Sequence, residues 1–280
     1  MFTPSDIAEY YDTTQSHYTR WWNLRESLSL HYGIWDEGVK TFSASLINTN
    51  KIMMEICRIS DGEKILDAGC GVGGAAFYLN RMKNAEMTGI SLSQKQIETA
   101  LQIAGKRGVS ERVTFRVMDF TRTTFPDESF DVVWACESVC QAQDKLSFIR
   151  ESLRVLKKGG RLIICDYFLP EENQPDKHSL IRKWCDTWAI SGLITLNSFK
   201  TSLTDSGYKE ITSSDYSTKI FRSSRRMYLS SLAGAVPSEI YNLLHPHVTK
   251  FAKTHYKSGY YQYKALKAGL WRYIIIKAVK

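Results

Sequence analysis

The stretch Ile65–Gly74 reads Ile-Leu-Asp-Ala-Gly-Cys-Gly-Val-Gly-Gly and predicts a strand that runs into a glycine-rich turn. Glycine suits such a turn because a β-carbon would block the close approach of a ligand and would penalise positive φ angles. Asp67 stands at the end of the strand, just before the turn. The stretch therefore predicts a cofactor site at the carboxyl end of a strand.

The residues around this turn limit which cofactor fits. Gly69, Gly71 and Gly74 also satisfy the G-x-G-x-x-G dinucleotide pattern. Asp67 argues against a pyrophosphate, because a carboxylate beside phosphate groups costs Coulomb energy in a partly dry cleft. The acidic residue that would hold a ribose hydroxyl about 20 positions further on is missing, since the next predicted strand runs into Ser91. A cationic ligand without phosphates, such as S-adenosylmethionine, fits better than a nicotinamide dinucleotide.

Strand-length apolar runs alternate with helix-length segments such as Ser93–Arg107 and Lys145–Leu156. This alternation is typical of βαβ units and predicts a mainly parallel sheet with helices on both faces. The predicted strands are Lys64–Ala68, Glu86–Ile90, Val113–Met118, Asp131–Ala135, Arg161–Cys165, Gly207–Ile211 and Trp271–Ile276. The fold class is therefore α/β, a Rossmann-like seven-stranded and mostly parallel sheet with a helical lid.

Five segments in a fixed order carry a resemblance to a known family. They are Leu66–Gly71 (LDAGCG), Gly89–Gln96 (GISLSQKQ), Val117–Phe120 (VMDF), Phe130–Ser138 (FDVVWACES) and Leu156–Leu162 (LKKGGRL). Together they resemble class I S-adenosylmethionine-dependent methyltransferases. The similarity is to the small-molecule branch with tocopherol O-methyltransferase, cyclopropane fatty acid synthase and prenyl diphosphate C-methyltransferases.

The resemblance implies which residues contact S-adenosylmethionine. Ser91 and Gln96 would help to hold it in place of the usual acid, Asp119 would accept from the adenine amino group, and Phe120 would flank the ring. The implied cofactor-binding residues are Tyr11, Asp67, Gly69, Gly71, Ser91, Gln96, Asp119, Phe120 and Cys136. No metal site is expected, because the cysteines lack ligand-like spacing.

The residues predicted to act on the acceptor come from two parts of the chain. Glu137 follows the fourth predicted strand and is a candidate general base, or alternatively a group that orients the lid. Related sequences carry a histidine shortly after the Glu-Ser pair, where this chain has Gln141, so His31 is the second catalytic candidate. Aromatic motifs near the N-terminus, together with the position of Gln141, predict acceptor contacts. The predicted contacts are Tyr18, Trp35 and Gln141.

The chain of 280 residues divides into three predicted regions. Residues 1–60 form an N-terminal helical lid, residues 61–167 form the cofactor-binding core, and residues 168–280 supply acceptor-pocket helices and the last two strands. The composition, 43% apolar and 24% charged, is ordinary for a globular protein. Six scattered cysteines suggest reduced buried thiols, and the absence of a long apolar run or signal pattern predicts a cytoplasmic protein without stable membrane insertion.

These observations predict an enzyme that moves a methyl group in line from S-adenosylmethionine to a small, partly apolar acceptor at O, N or C. One specific alternative is C-methylation of a prenyl diphosphate, with Arg222, Arg225 and Arg226 holding the diphosphate. A nicotinamide-dependent oxidoreductase is the alternative from another class. The net charge of +8 is compatible with nucleic acid, but no base-methylation motif follows the fourth strand, so no nucleic-acid partner is expected. A homo-oligomer is compatible with the sequence.

Overall fold

The computed structural model describes residues 2–22 and 27–280, with only the backbone described for residues 15–21. These residues form a seven-stranded sheet with the strand order β3-β2-β1-β4-β5-β7-β6, in which β7 alone is antiparallel to its neighbours. The strands are β1 (Lys64–Ala68), β2 (Glu86–Ser91), β3 (Val113–Val117), β4 (Phe130–Cys136), β5 (Leu156–Phe168), β6 (Lys209–Asp215) and β7 (Arg272–Val279). The predicted fold class is confirmed.

Helices cover both faces of the sheet and form a roof over one end of it. The helices are α1 (Pro4–Trp21), α2 (Phe42–Cys57), α3 (Gly74–Lys83), α4 (Gln94–Arg107), α5 (Lys145–Val155), α6 (Leu180–Thr187), α7 (Leu196–Ser206), α8 (Phe221–Leu244), α9 (Lys250–Thr254) and α10 (Ser258–Lys267). Short 3₁₀ turns lie at Val139–Gln141, Lys177–Ser179 and His255–Lys257.

The central strands are buried because they are covered on both faces. Val132, Val133 and Trp134 in β4 are fully buried, which explains why their sequence is a continuous apolar run rather than an alternating one. β5 begins at Leu156, five residues before the predicted start, because Leu156 already pairs with Phe130 of β4, ahead of an irregularity in the register. The carboxyl ends of the parallel strands meet at one edge, where a ligand site is expected in such a fold.

The N-terminal region divides between the roof and the body of the domain. α2 packs against β5 and β7, so it covers the sheet. α1 instead contacts α4 and α9 above the strand ends. Ser223 of α8 links the roof to the segment after α1, because its hydroxyl donates to the Gly33 carbonyl at 2.8 Å. None of the helices in the described parts of the chain is long and apolar enough to cross a membrane.

Candidate active site

A cavity lies at the carboxyl ends of β1, β2 and β4, beneath α1 and the segment 28–31. It brings together most of the residues that the sequence predicts for the site. Those residues are Tyr11, His31, Asp67, Gly69, Gly71, Ser91, Gln96, Phe120, Cys136, Glu137 and Gln141. Segments as far apart as α1 and the 3₁₀ turn at Gln141 therefore converge on one volume.

The glycine turn after β1 is needed for two different reasons. Gly69 has a φ of 92°, and a β-carbon there would lie 2.3 Å from Cβ of Ser138. That serine is itself fixed, since its hydroxyl donates to the Ala68 carbonyl at 2.6 Å. Gly71 has a φ of 53° and would meet only the Leu30 side chain, at 3.7 Å. Gly69 therefore allows the turn to pack on β4, and Gly71 leaves bare backbone beside the cavity.

Asp67 is a buried carboxyl group with an uncompensated oxygen. Its side chain is 2% exposed, and its Oδ2 has no hydrogen-bond partner among the described residues. Burial raises the pKa of Asp67 to about 7, because the carboxylate loses hydration without gaining donors. A cationic ligand in the cavity would supply the missing charge. The Asp67 carboxylate is thus suited to contact the sulfonium or ammonium group of S-adenosylmethionine.

Ser91 and Gln96 form a second polar pair at the end of β2. The Ser91 hydroxyl donates to Oε1 of Gln96 at 2.8 Å and accepts from the Ser93 N–H at 3.2 Å. Because Oε1 is held in this way, the Gln96 amide directs its Nε2 elsewhere, and this buried Nε2 has no partner in the described structure. A free amide donor at this place fits a ribose hydroxyl. The residues present therefore fit S-adenosylmethionine at both its charged and its ribose end.

The segment Tyr10-Tyr11-Asp12 of α1 is held by hydrogen bonds above Ser91 and Gln96. The Ser93 hydroxyl donates to Oδ1 of Asp12, and the Lys95 ammonium donates to the Asp12 carbonyl at 3.0 Å. The Tyr11 hydroxyl donates to Oε1 of Gln141 at 2.8 Å across the cavity. Sequence reasoning singled out Tyr11 and missed Asp12, although the acid was visible in the motif.

Glu137 is a carboxylate surrounded by donors. The Tyr32 N–H and the Tyr273 hydroxyl both donate to its Oε1 at 2.6 Å, and the Tyr167 hydroxyl donates to its Oε2. Its backbone lies in the left-handed region at a φ of 51°, a conformation that costs a non-glycine residue free energy. Burial raises the pKa of Glu137 to about 8, while the two tyrosine hydroxyls oppose this rise. The arrangement makes Glu137 a half-buried group that fixes the cavity wall.

The two tyrosines belong to a cluster that the sequence did not reveal. Tyr167 and Tyr273 pair directly across β5 and β7, and their rings lie 5.9 Å apart between centroids. Trp184, Trp188 and Trp271 make further edge and tilted contacts with the Tyr167 ring. Only the register of the antiparallel pair brings these residues together, so spacing along the chain carried no signal of the cluster.

His31 is buried with one ring nitrogen occupied and the other bare. Its Nδ1 lies 2.9 Å from the Tyr32 carbonyl, and since a carbonyl only accepts, Nδ1 carries the proton. Its Nε2 is buried and has no partner among the residues described. Burial lowers the pKa of His31 to about 4, so the imidazole is neutral at neutral pH. The cavity wall therefore contains a neutral imidazole with an available lone pair.

Two of the predicted site residues, Trp35 and Asp119, do not line the cavity. The Trp35 Nε1 donates to the Ser223 hydroxyl at 2.8 Å, which turns the indole toward α8 and corrects the expectation that Trp35 lines the acceptor pocket. Asp119 also lies outside the lining, and its Oδ1 accepts from the N–H of Thr121 at 2.8 Å and from its hydroxyl at 2.7 Å. The Tyr18 side chain falls outside the described residues.

The three arginines considered for a diphosphate do not line the cavity either. The guanidinium of Arg222 lies 4.1 Å from the Trp35 ring centroid, and that of Arg226 lies 4.7 Å from the Phe42 centroid. Arg225 is exposed on the same helix. No lysine or arginine occurs among the described residues that line the cavity, so this placement gives no support to a diphosphate contact.

The sequence and the fold can be compared with known proteins. Residues 66–164 match the family model described as a methyltransferase domain. The 27-O-demethylrifamycin SV methyltransferase of Amycolatopsis mediterranei (strain S699) is 35% identical over 167 residues, which cover 60% of this chain and 60% of the relative. The chain thus aligns with about three fifths of that curated relative.

Two solved structures share the whole fold. The [4+2]-cyclase SpnF superposes with a TM-score of 0.82 at 23% identity, over 99% of this chain and 96% of the cyclase. A geranyl diphosphate C-methyltransferase from Streptomyces coelicolor A3(2) gives a TM-score of 0.78 at 19% identity, over 99% and 97%. At these identities the likeness establishes the fold alone.

The fold and the cavity define a Rossmann-like protein with a site for a cationic, phosphate-free cofactor at its strand ends. Residues 66–164 match a methyltransferase domain, and over its aligned part the chain is similar to an S-adenosylmethionine-dependent methyltransferase. The oxidoreductase alternative has no support in these comparisons.

Proposed function

We propose that the protein transfers the methyl group of S-adenosylmethionine to a hydroxyl group of a small, partly apolar organic acceptor. The observation that carries this proposal is the buried, unpartnered Nε2 of neutral His31, a residue that lines the same cavity as Asp67 and Gln96. A hydroxyl acceptor has a proton to lose, and this lone pair is a group that can receive it. The curated relative described above also acts, by its name, on oxygen.

The chain contributes binding, orientation and exclusion of water. S-adenosylmethionine, when bound, supplies a methyl group already activated by a sulfonium. Asp67 provides the compensating negative charge, and the bare turn at Gly71 allows close contact with backbone. The roof residues Tyr10 and Tyr11 cover the cavity, so that most of the rate advantage comes from alignment in a dry site.

His31 takes the hydroxyl proton on Nε2 as the acceptor oxygen gains its methyl group. With a pKa of about 4 the imidazole does not charge before the reaction. The loss of the sulfonium charge during transfer removes a positive charge from the cavity, and the imidazolium that forms on His31 replaces it. The net charge of the cavity is therefore unchanged, which lets a weakly basic histidine act at this step.

Glu137 acts as a positioning residue in this scheme. Its three donors leave little of the carboxylate free to receive a proton from an acceptor. It fixes the backbone of Tyr32, whose carbonyl in turn fixes the tautomer of His31. Glu137 and His31 are thus connected through one residue.

The test uses a donor labelled in the methyl group and a panel of phenols, amines and prenyl diphosphates. We expect label in phenol ethers, and we expect the His31→Gln variant to lose this product while still binding the donor. Label found only on nitrogen, or only on a prenyl carbon, would contradict hydroxyl methylation. The matched control is His245→Gln, the same substitution at an exposed histidine that lines neither the cavity nor the neighbouring cleft.

A further inference from the structure

A cleft of about 690 Å³ lies next to the cavity, between α8 and the segment that contains α9. Pockets that hold drug-sized molecules usually measure about 300–1,000 Å³. Trp188 lines both the cleft and the cavity. Tyr10 of the cavity and His255 of the cleft are also in contact, with ring centroids 5.9 Å apart. The two spaces are therefore neighbours that share a wall.

The middle of α8, from Ser230 to Ser238, presents mainly small residues to the cleft, whereas several large apolar residues of the helix are exposed. Ser231, Gly234 and Ser238 line the cleft. Val236 and Leu243, by contrast, are 70% and 82% exposed. Surface helices normally bury their apolar face, so this helix is inverted relative to the usual pattern. Its sequence keeps the cleft open where larger side chains would fill it.

Gly234 shows most clearly that the space is retained. A glycine inside a helix costs about 1 kcal/mol relative to alanine. A β-carbon at Gly234 would meet no other atom within 4 Å, so packing does not require the glycine. Its φ also lies outside the left-handed region. Folding therefore does not require glycine at this position, whereas a ligand in the cleft would need the space that it leaves.

The cleft offers uncharged polar groups on an apolar wall. Among the described residues that line it there is no aspartate, glutamate, lysine or arginine. Pro237 has no N–H, so the carbonyl of Ala233 lacks the donor four residues ahead and is available as an acceptor. Trp22 and Met227 supply apolar surface. Such a lining suits a neutral molecule with an apolar body and several oxygen atoms.

We propose that this cleft binds the body of the methyl acceptor, while the reacting hydroxyl reaches past Trp188 to His31. The acceptor is then an uncharged, oxygen-bearing polycyclic or macrocyclic molecule that the cavity alone would not hold. The identity of the reacting group, a hydroxyl, rests on the proposed function. The description of the rest of the acceptor rests on the lining of the cleft.

The first test measures binding without methyl transfer, using the neutral polycyclic dye Nile red. Leucine at position 234 projects into the cleft, so Gly234→Leu should weaken Nile red binding by about tenfold or more. Val236→Leu adds bulk to the solvent side of the same helix and should leave binding unchanged. Circular dichroism checks that both variants remain helical. Wild-type protein that fails to bind the dye, or Gly234→Leu protein that binds it equally well, would overturn the proposal.

The second test compares methylation of phenol with that of estradiol, a phenol fused to a larger neutral body. The wild type should favour estradiol in kcat/KM by about tenfold or more, since the additional body gains apolar contacts. Gly234→Leu should abolish this preference with little change for phenol itself, and Val236→Leu should retain it. A preference that survives Gly234→Leu would overturn the proposal. If neither phenol is methylated, hydroxyl methylation fails, and the dye experiment still decides whether the cleft binds a ligand.

Discussion

Two carboxyl groups that line the cavity have contrasting surroundings. Asp67 has an oxygen without any donor in the described structure, and it stands at the end of β1, just before the glycine turn. Glu137 receives three donors, from Tyr32, Tyr167 and Tyr273, which lie 105, 30 and 136 residues away. Asp67 has an oxygen left for a ligand, whereas both oxygens of Glu137 have hydrogen-bond partners within the protein.

This difference gives the two carboxyl groups different roles: Asp67 serves ligand binding, and Glu137 serves the geometry of the cavity wall. A buried charge without a partner is costly, so a cationic ligand gains free energy when it supplies the partner. A buried charge with several donors instead fixes those donors, because moving any one of them would leave a group unsatisfied. Removing Asp67 should therefore weaken the binding of S-adenosylmethionine. Removing Glu137 should instead disturb the packing of the cavity wall.

The largest effect is expected for His31→Gln, which removes the proton acceptor and keeps a neutral side chain. We expect kcat for a hydroxyl acceptor to fall by about 10²-fold to 10⁴-fold. Donor affinity should be unchanged, because His31 is not part of the Asp67 and Gln96 groups. Steady-state kinetics and calorimetry with the donor measure the two quantities separately. Unchanged kcat would remove His31 from the mechanism.

Asp67→Ala should weaken the binding of S-adenosylmethionine by roughly 10-fold to 100-fold, as a lost charge-assisted hydrogen bond implies. The variant should be at least as resistant to heat as the wild type, because a buried carboxyl oxygen without a donor is removed. Isothermal calorimetry and thermal unfolding of the donor-free protein check both statements. Wild-type affinity in this variant would mean that the cationic groups bind elsewhere.

The pH dependence of donor binding sharpens the same contrast. The pKa of Asp67 is raised to about 7, so the donor-free protein holds this proton at lower pH and must release it to pair with a cation. Affinity should weaken by up to about tenfold for each pH unit below 7. The stability of the protein without S-adenosylmethionine has the opposite pH dependence. The contribution of Asp67 to the free energy of unfolding falls as pH rises from about 4 to about 7. Asp67→Asn should remove both dependences in calorimetry and thermal unfolding.

Glu137→Gln should mainly lower stability, because an amide cannot accept from all three donors. We expect a loss of about 1–3 kcal/mol in the free energy of unfolding and a fall in kcat of less than about tenfold. Tyr273→Phe, which removes only one donor, is the matched control with a smaller loss. Chemical denaturation and kinetics provide the readouts. A stable Glu137→Gln variant with kcat lowered by more than about 10²-fold would instead identify Glu137 as the base.

The smallest effect is expected for Trp35→Phe. The variant loses the hydrogen bond to Ser223 and should destabilise the protein by about 1 kcal/mol. The KM for the acceptor should not change, since Trp35 lies outside the cavity lining. A raised KM would show that the indole reaches the acceptor after all.

The sequence predicts the donor end of the site better than the acceptor end, for a physical reason. The turn at Asp67 and Gly69 and the segment with Ser91 and Gln96 are local structures at strand ends, so a short motif specifies them. Trp35 appears in an equally suggestive motif, yet the direction of its ring depends on α8, which lies nearly 190 residues later.

The same reasoning applies to the parts of the site that were missed. The parallel strands follow from apolar periodicity alone, and their predicted positions agree with the structure except for β5, which begins five residues before its predicted start and ends three residues after its predicted end. The contacts of Tyr167 and Tyr273 with Glu137 require the register of β5 against β7, which no local pattern states. The orientation of α8 depends on its packing against α10 and the 3₁₀ turn His255–Lys257, which lie far along the chain from its first residues.

The most direct measurement of the central proposal compares wild type and His31→Gln on phenols of increasing acidity. At about pH 8.5, phenol itself keeps its proton, whereas 4-nitrophenol is already ionised and needs no proton acceptor. If His31 receives the hydroxyl proton, the variant should lose about 10²-fold or more in kcat with phenol and almost nothing with 4-nitrophenol. An equal loss with both phenols would contradict the account, because it would show that His31 positions the acceptor without taking its proton.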